Sequence, residues 1–188
     1  ANSLWFWGAG TKPSLQSFTE KTGLKGAMIS AVDLLKGIAV GAGMQVYQVP
    51  GATGSLDTNW EGKAQAAIDA LLKDGCDFAY IHLEAPDEMG HQGLVKEKVQ
   101  SIEYLDSRVV APICHAMEQA GEDYRILVLP DHPTPIRIRT HSSDPVPYVL
   151  YDSTRQEKKR AHYTEAEAQA TGIFYPQGHE LLNELLKT

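Results

Sequence analysis

Carboxylates and histidines gather directly after two buried apolar runs of this sequence. The first run, residues 78–83, leads into Asp87 and His91. These two residues are four positions apart, so a helical turn projects both side chains to one side. A carboxylate oxygen beside a neutral imidazole nitrogen suits manganese or zinc. An ordinary charge cap of Asp87 and Glu88 at a helix start, with His91 simply exposed, explains this stretch equally well.

A second cluster shifts the balance toward a metal centre. Asp131 and His132 follow another predicted strand, residues 125–129, and His141 comes nine residues later. Prolines at 133 and 135 stiffen the intervening loop, because the residue before each proline is pushed toward extended geometry. A turn and a solvated loop histidine remain the alternatives for each part alone. Two clusters at strand ends and a third histidine together favour metal ligation.

Alternating strands and helices position these clusters. We predict an α/β fold with a mostly parallel sheet and helices on both faces, in which ligands bind beyond the carboxyl ends of the strands. The predicted strands are 27–32, 45–49, 78–83, 125–129 and, as an edge strand, 146–151. The predicted helices are 14–22, 59–74, 94–120 with a kink or a junction at Pro112, and 178–186.

Composition limits the classes of function. A chain of 188 residues suits one domain, with 43% hydrophobic and 22% charged residues, as in ordinary globular proteins. The net charge of −7 argues against nucleic acid and anionic membranes as partners. Two cysteines are too few for a disulfide framework, which indicates a reducing, cytoplasmic setting. No apolar run reaches the roughly 18 residues of a membrane span.

Three motifs carry a family resemblance. HLEAPDEMGHQG (82–93), PDHPTP (130–135) and THSSDPVPY (140–148) resemble the metal-binding segments of the alkaline phosphatase superfamily. The branch that they resemble is the archaeal-type cofactor-independent phosphoglycerate mutases. WFWGAG (5–10) and VPGATGSLDTNWEGKA (49–64) extend the resemblance over nearly the whole chain. The resemblance implies an alkaline-phosphatase-like fold and, as the reaction, a glycolytic interconversion of 2- and 3-phosphoglycerate through a phosphoserine.

The resemblance also assigns roles to residues. Asp87, His91 and His141 match the ligands of one divalent metal, and Asp131 and His132 match ligands of a second. Mn²⁺ is the first choice for both, with Zn²⁺, Mg²⁺ or Co²⁺ as alternatives.

The sequence lacks two features of the family. No segment resembles the loop that carries the nucleophilic serine, and no segment resembles the one near the N-terminus that carries an aspartate metal ligand. We therefore expect residues 1–188 to be the C-terminal part of the catalytic domain and to be inactive alone. An open sheet edge, where upstream strands would pair, predicts self-association of this chain.

Several further residues are candidates for supporting roles. Lys36, the candidate catalytic residue outside the metal motifs, follows a strand and can reach a phosphate oxygen as a point charge, with Asp33 orienting it. A solvated lysine is an equally good interpretation. Glu84 and Glu88 are candidates for orienting His91.

Two other functions remain open at this point. The first is a metal-dependent phosphatase, phosphodiesterase or phosphonate hydrolase of the same superfamily, in which water replaces the acceptor hydroxyl. The second is a non-catalytic metal-binding module. Retention of phosphate on the product, or its release, separates the mutase from the hydrolases.

Overall fold

The computed structural model describes residues 10–11, 13–155 and 162–187; the apolar start and residues 156–161 lie outside them. The strands are β1 (Gly26–Ile29), β2 (Gln45–Tyr47), β3 (Phe78–Ile81), β4 (Arg125–Val128) and β5 (Val149–Asp152). The α-helices are α1 (Phe18–Thr22), α2 (Asp33–Gly41), α3 (Trp60–Leu72), α4 (Ala85–Gln92), α5 (Val95–Leu105), α6 (Ala111–Ala120), α7 (Glu165–Ala170) and α8 (Leu181–Leu186).

The strands form two hydrogen-bonded ladders. A parallel sheet has the order β2-β1-β3, and all four residues of the central strand β1 are buried. Burial of a whole strand is typical of a parallel sheet covered on both faces. All five predicted strands are present and the α/β class is confirmed. However, β5 pairs antiparallel with β4 and does not extend the parallel sheet. Within the described residues β2 and β3 are the sheet edges, and self-association there stays a prediction.

The main core lies between the parallel sheet and α3. Asn59 caps this helix, its Oδ1 accepting a hydrogen bond of 2.8 Å from the amide of Gly62. Trp60 is 1% exposed, and its indole donates to the carbonyl of Leu56 at 3.0 Å. The small buried side chains of α3 let the helix approach β1 and β3 closely; they are Ala64, Ala67 and Ala70.

The predicted long helix is interrupted before its proline. Between α5 and α6 lies a five-residue π-helical turn, Asp106–Val110. The amide of Ala111 donates to the carbonyl of Asp106, five residues back. Pro112 has no amide proton and cannot resume the pattern of the preceding helix, so the change of geometry falls next to it.

α4 was expected only as a helical turn carrying Asp87 and His91, and two further helices, α2 and α7, were not predicted from the sequence. α2 contains Gly37 and Gly41, which are poor helix formers, and no side chain caps its start, whereas α7 is short and buries no residue. The start of α7 is marked by Thr164, whose hydroxyl accepts from the amide of Glu167. Within the described residues, no helix has the length and apolarity needed to cross a membrane.

Candidate metal centre

The first ligand pair lies on α4, directly beyond the end of β3. This helix begins with Ala85 and Pro86, and a proline in the first turn is preorganised for a helix start. Asp87 and His91 then lie on the same side, with 3.3 Å between Asp87 Oδ2 and His91 Nε2. The spacing read from the sequence is therefore a close approach in space.

His141 completes a three-residue group. Its Nε2 lies 3.3 Å from Asp87 Oδ1 and 3.0 Å from His91 Nε2. A four-coordinate ion with bonds of about 2.1 Å needs ligand atoms roughly 3.4 Å apart, so these separations fit such an ion. Among the described residues, this is the group of carboxylates and imidazoles arranged to hold a metal. The structure thus brings together residues 50 positions apart in the sequence.

The orientation of His91 is set by the main chain. His91 Nδ1 lies 3.0 Å from the carbonyl oxygen of Arg139. A carbonyl only accepts, so Nδ1 carries the proton and Nε2 of the neutral ring keeps its lone pair for a metal. The expectation that Glu84 or Glu88 orients this ring is wrong in the described structure, because the acceptor is a loop carbonyl.

The second cluster borders the first. The rings of His132 and His141 stack with centroids 3.7 Å apart. Asp131 Oδ1 accepts from the amide of His132 at 3.1 Å, and Oδ2 lies 3.5 Å from His132 Nε2. Asp131 itself is outside the three-residue group and its side chain is 74% exposed. The two predicted ligand sets are therefore neighbours, joined through the two stacked imidazoles.

A buried threonine, not recognised from the sequence, also belongs to this centre. The hydroxyl of Thr134 donates a short hydrogen bond to Asp87 Oδ1. Lys98 on α5 donates to the carbonyl of Thr134 at 2.8 Å. The position of Thr134 between two prolines was the only available signal for a special role.

Lys36 has a different location. It lies on α2, where its ammonium pairs with Asp33 at 2.8 Å. The described contacts do not join Lys36 to Asp87 or to the histidines of the centre. Lys36 therefore pairs with Asp33, as the sequence predicted. Among the described contacts, none links Lys36 directly to the metal group.

Several carboxylates lie close together at this end of the sheet. Burial raises the pKa of Glu84, and the nearby carboxylates Glu88 and Asp87 raise it further. Like charges crowded in this way disfavour the ionised form, and a cation bound among them relieves that repulsion. The electrostatics and the donor geometry both favour a positively charged ligand.

Comparison with known proteins defines the class. Residues 1–183 match the family model of the Metalloenzyme superfamily, and the chain belongs to that superfamily. More particularly, it is 50% identical over 186 residues to the 2,3-bisphosphoglycerate-independent phosphoglycerate mutase of Methanothrix thermoacetophila, covering 99% of this chain and 47% of that protein. It is also 50% identical to the probable mutase of the same name from Geobacter sulfurreducens, over 99% of this chain and 46% of that protein. The resemblance read from the motifs is confirmed.

Solved structures support the fold. A structure of a Pyrococcus horikoshii protein matches with a TM-score of 0.77 and 32% identity, covering 91% of this chain and 50% of the other. The cofactor-independent phosphoglycerate mutase of Thermoplasma acidophilum matches in fold with a TM-score of 0.58 and 24% identity, covering 93% and 39%. The chain spans about half the length of the relatives that it matches.

Proposed function

We propose that this chain carries the metal ligands of a cofactor-independent phosphoglycerate mutase, which interconverts 2- and 3-phosphoglycerate through a phosphoserine. The observation that carries the proposal is the convergence of Asp87, His91 and His141, in a chain 50% identical to a protein named as such a mutase. The metal site is proposed for this chain, as the C-terminal part of the catalytic domain. The activity is proposed for the protein at the length of its relatives, in the cytosol.

The ligands divide into two sets in this proposal. Asp87, His91 and His141 hold one divalent ion, and Asp131 with His132 contributes to holding a second, Mn²⁺ being the expected metal. Such ions, when bound, neutralise charge that builds up on a phosphoryl group during in-line transfer. The protein contributes fixed donor positions, and the Arg139 carbonyl holds the His91 lone pair toward Asp87 and His141.

Lys36 is proposed to bind a phosphate oxygen of the substrate. Its ammonium is held by Asp33, and the Asp33 side chain is 97% exposed. A phosphate dianion carries more charge than one carboxylate and competes for the same ammonium. Lys36→Met is therefore expected to weaken substrate binding in the protein of the relatives' length without changing the Mn²⁺ affinity.

Calorimetric titration of the metal-free chain with Mn²⁺ tests the metal site. Binding is expected in the wild type, with at least tenfold weaker affinity in His141→Ala. His115→Ala is the matched control, since His115 is an exposed histidine that contacts Gln119 on its own helix. Asp131→Ala tests the second set. Absence of Mn²⁺ binding in the wild type, or equal loss in the control, would contradict the proposed site.

Phosphorus NMR tests the reaction in the protein of the relatives' length. Conversion of 2-phosphoglycerate to 3-phosphoglycerate without release of inorganic phosphate supports the mutase. Release of phosphate as the main product would assign a hydrolase in its place.

A further inference from the structure

One side chain touches a ligand of each proposed metal. Thr134 is 5% exposed, and its hydroxyl donates to Asp87 Oδ1 of the first set. The same oxygen lies 3.4 Å from Nδ1 of His132, which belongs to the second set. A single buried hydroxyl therefore lies between the two sets.

The number of protons on these groups determines the direction of both contacts. A threonine hydroxyl has one proton, and an ionised carboxylate can only accept. Because that proton goes to Asp87, the hydroxyl is left as an acceptor toward His132. In the neutral form, the His132 ring then carries its proton on Nδ1 and keeps the lone pair on Nε2.

The opposite side of the His132 ring makes a competing contact. His132 Nε2 faces Asp131 Oδ2 at 3.5 Å. This carboxylate favours a proton on Nε2, but the Asp131 side chain is 74% exposed and 3.5 Å is longer than an ordinary hydrogen bond, so we expect the contact with the buried Thr134 hydroxyl to decide the tautomer. With the proton on Nδ1, Nε2 and the Asp131 oxygen are both acceptors. Two acceptors in this arrangement are suited to a shared cation.

Contacts from α4 and α5 also fix the backbone of Thr134. Lys98 donates to the Thr134 carbonyl at 2.8 Å. A Cβ added at Gly90 would lie 2.6 Å from that carbonyl oxygen, so α4 and the Thr134 loop are in close contact. Little freedom remains for the backbone that carries the hydroxyl.

From these contacts we propose that Thr134 is a positioning residue that couples the two ligand sets. It orients the Asp87 carboxylate and selects the Nδ1–H tautomer of His132, which presents Nε2 to a metal. This inference rests on the proposed metal sites for its functional meaning. The tautomer itself is a property of the metal-free protein and can be tested separately.

Long-range proton–nitrogen NMR of the metal-free chain at pH 8 measures the tautomer. The wild type is expected to show His132 protonated on Nδ1. Thr134→Val removes the hydroxyl at nearly constant shape and is expected to shift the ring to the Nε2–H form, whereas Thr134→Ser keeps the Nδ1–H form. An Nε2–H ring in the wild type would overturn the inference, and this readout needs no variant to fold.

Mn²⁺ titration supplies the functional readout. Loss of a group that orients a ligand typically weakens metal affinity 10- to 100-fold, which we expect for Thr134→Val. Thr134→Ser is expected to stay within about threefold of the wild type. Equal affinities of the wild type and the valine variant would overturn the positioning role. A wild type that binds no Mn²⁺ but shows the Nδ1–H ring would contradict the proposed function while leaving the tautomer assignment standing.

Discussion

The carbonyl oxygen of Arg139 lies 3.0 Å from Nδ1 of His91, so a loop residue orients an imidazole on a helix 48 positions away. Arg139 has φ of 53°, the one positive φ at a non-glycine position among the described residues. This left-handed geometry costs an L-residue roughly 1–2 kcal/mol. The residue with the strained backbone is therefore the residue whose carbonyl orients His91 in the candidate metal centre.

Two substitutions of Arg139, to asparagine and to valine, both remove the guanidinium, so a difference between them reports the effect of the backbone geometry and not that of the charge. Asparagine tolerates the left-handed region, whereas valine, branched at Cβ, resists it. We expect the free energy of unfolding of Arg139→Val to be about 1–2 kcal/mol lower than that of Arg139→Asn. We also expect its Mn²⁺ affinity to be about tenfold weaker, because the carbonyl is displaced from His91. Urea unfolding and calorimetry measure these differences, and identical behaviour of the two variants would contradict the role of the backbone.

Gly90 is expected to be required for contact between α4 and the Thr134 loop. A Cβ there would lie 2.6 Å from the Thr134 carbonyl oxygen and 2.8 Å from Lys98 Nζ. Gly90→Ala is expected to move the loop away from Asp87 and to weaken Mn²⁺ binding by about tenfold or more.

Gly37 offers the matched control for this prediction. It also lies within a helix, and no atom is within 4 Å of an added Cβ. Gly37→Ala should therefore stabilise the protein by about 0.5–1 kcal/mol and leave metal binding unchanged. If Gly90→Ala binds Mn²⁺ as tightly as Gly37→Ala does, the prediction that Gly90 is required for this contact is wrong.

The candidate ligand residues stand out in the sequence because their signal is local. Asp87 and His91 are separated by one helical turn after a strand, and Asp131 and His132 directly follow another. The groups that orient them could not be predicted, since Thr134 and the Arg139 carbonyl act across 47 and 48 positions. A main-chain carbonyl also has no residue type by which a sequence could reveal it.

The strands show the same division between local and long-range information. Their apolar composition predicted all five, but not that β5 would pair antiparallel with β4. The direction of pairing depends on the path of the loop that connects the two strands, and the pattern of apolar residues within a strand does not determine that path. The π-helical turn before Pro112 likewise appeared in the sequence only as a proline inside an apolar helical stripe.

Lys63 provides a prediction at alkaline pH. Its side chain is buried at 1% exposure, and Nζ donates to the carbonyls of Thr53 at 3.2 Å and His82 at 3.4 Å. Burial lowers the pKa of Lys63, against a smaller opposing effect of Glu84. The unfolded chain, with a pKa of about 10.4, then holds this proton to higher pH than the folded protein does.

Stability therefore gains a contribution from Lys63 as pH rises from its folded pKa toward about 10.4. In Lys63→Met this contribution is absent. We expect the unfolding free energy of the wild type to rise relative to that of the methionine variant as pH increases toward this upper limit. Urea unfolding of both proteins at neutral and alkaline pH measures the difference, and a constant difference would contradict the lowered pKa.

Asp152 provides the corresponding prediction in acid. Its carboxylate accepts from the Thr154 hydroxyl at 2.6 Å, from the Thr154 amide at 3.0 Å and from Arg125 Nε at 2.8 Å. These contacts, led by the Thr154 hydroxyl, lower the pKa of Asp152 to about 2. An unfolded aspartate titrates at about 3.9, so the stabilisation is complete above that pH and is lost as pH falls toward 2.

Carbon NMR of the Asp152 carboxyl group tests this directly. The titration midpoint is expected near 2 in the wild type and higher in Thr154→Val, which removes the leading hydrogen bond. In urea unfolding, Asp152→Asn should be less stable than the wild type at pH 6, with the difference shrinking below pH 4. A wild-type midpoint near 4, or a difference that does not depend on pH, would show that β4 and β5 are not stabilised through this carboxylate.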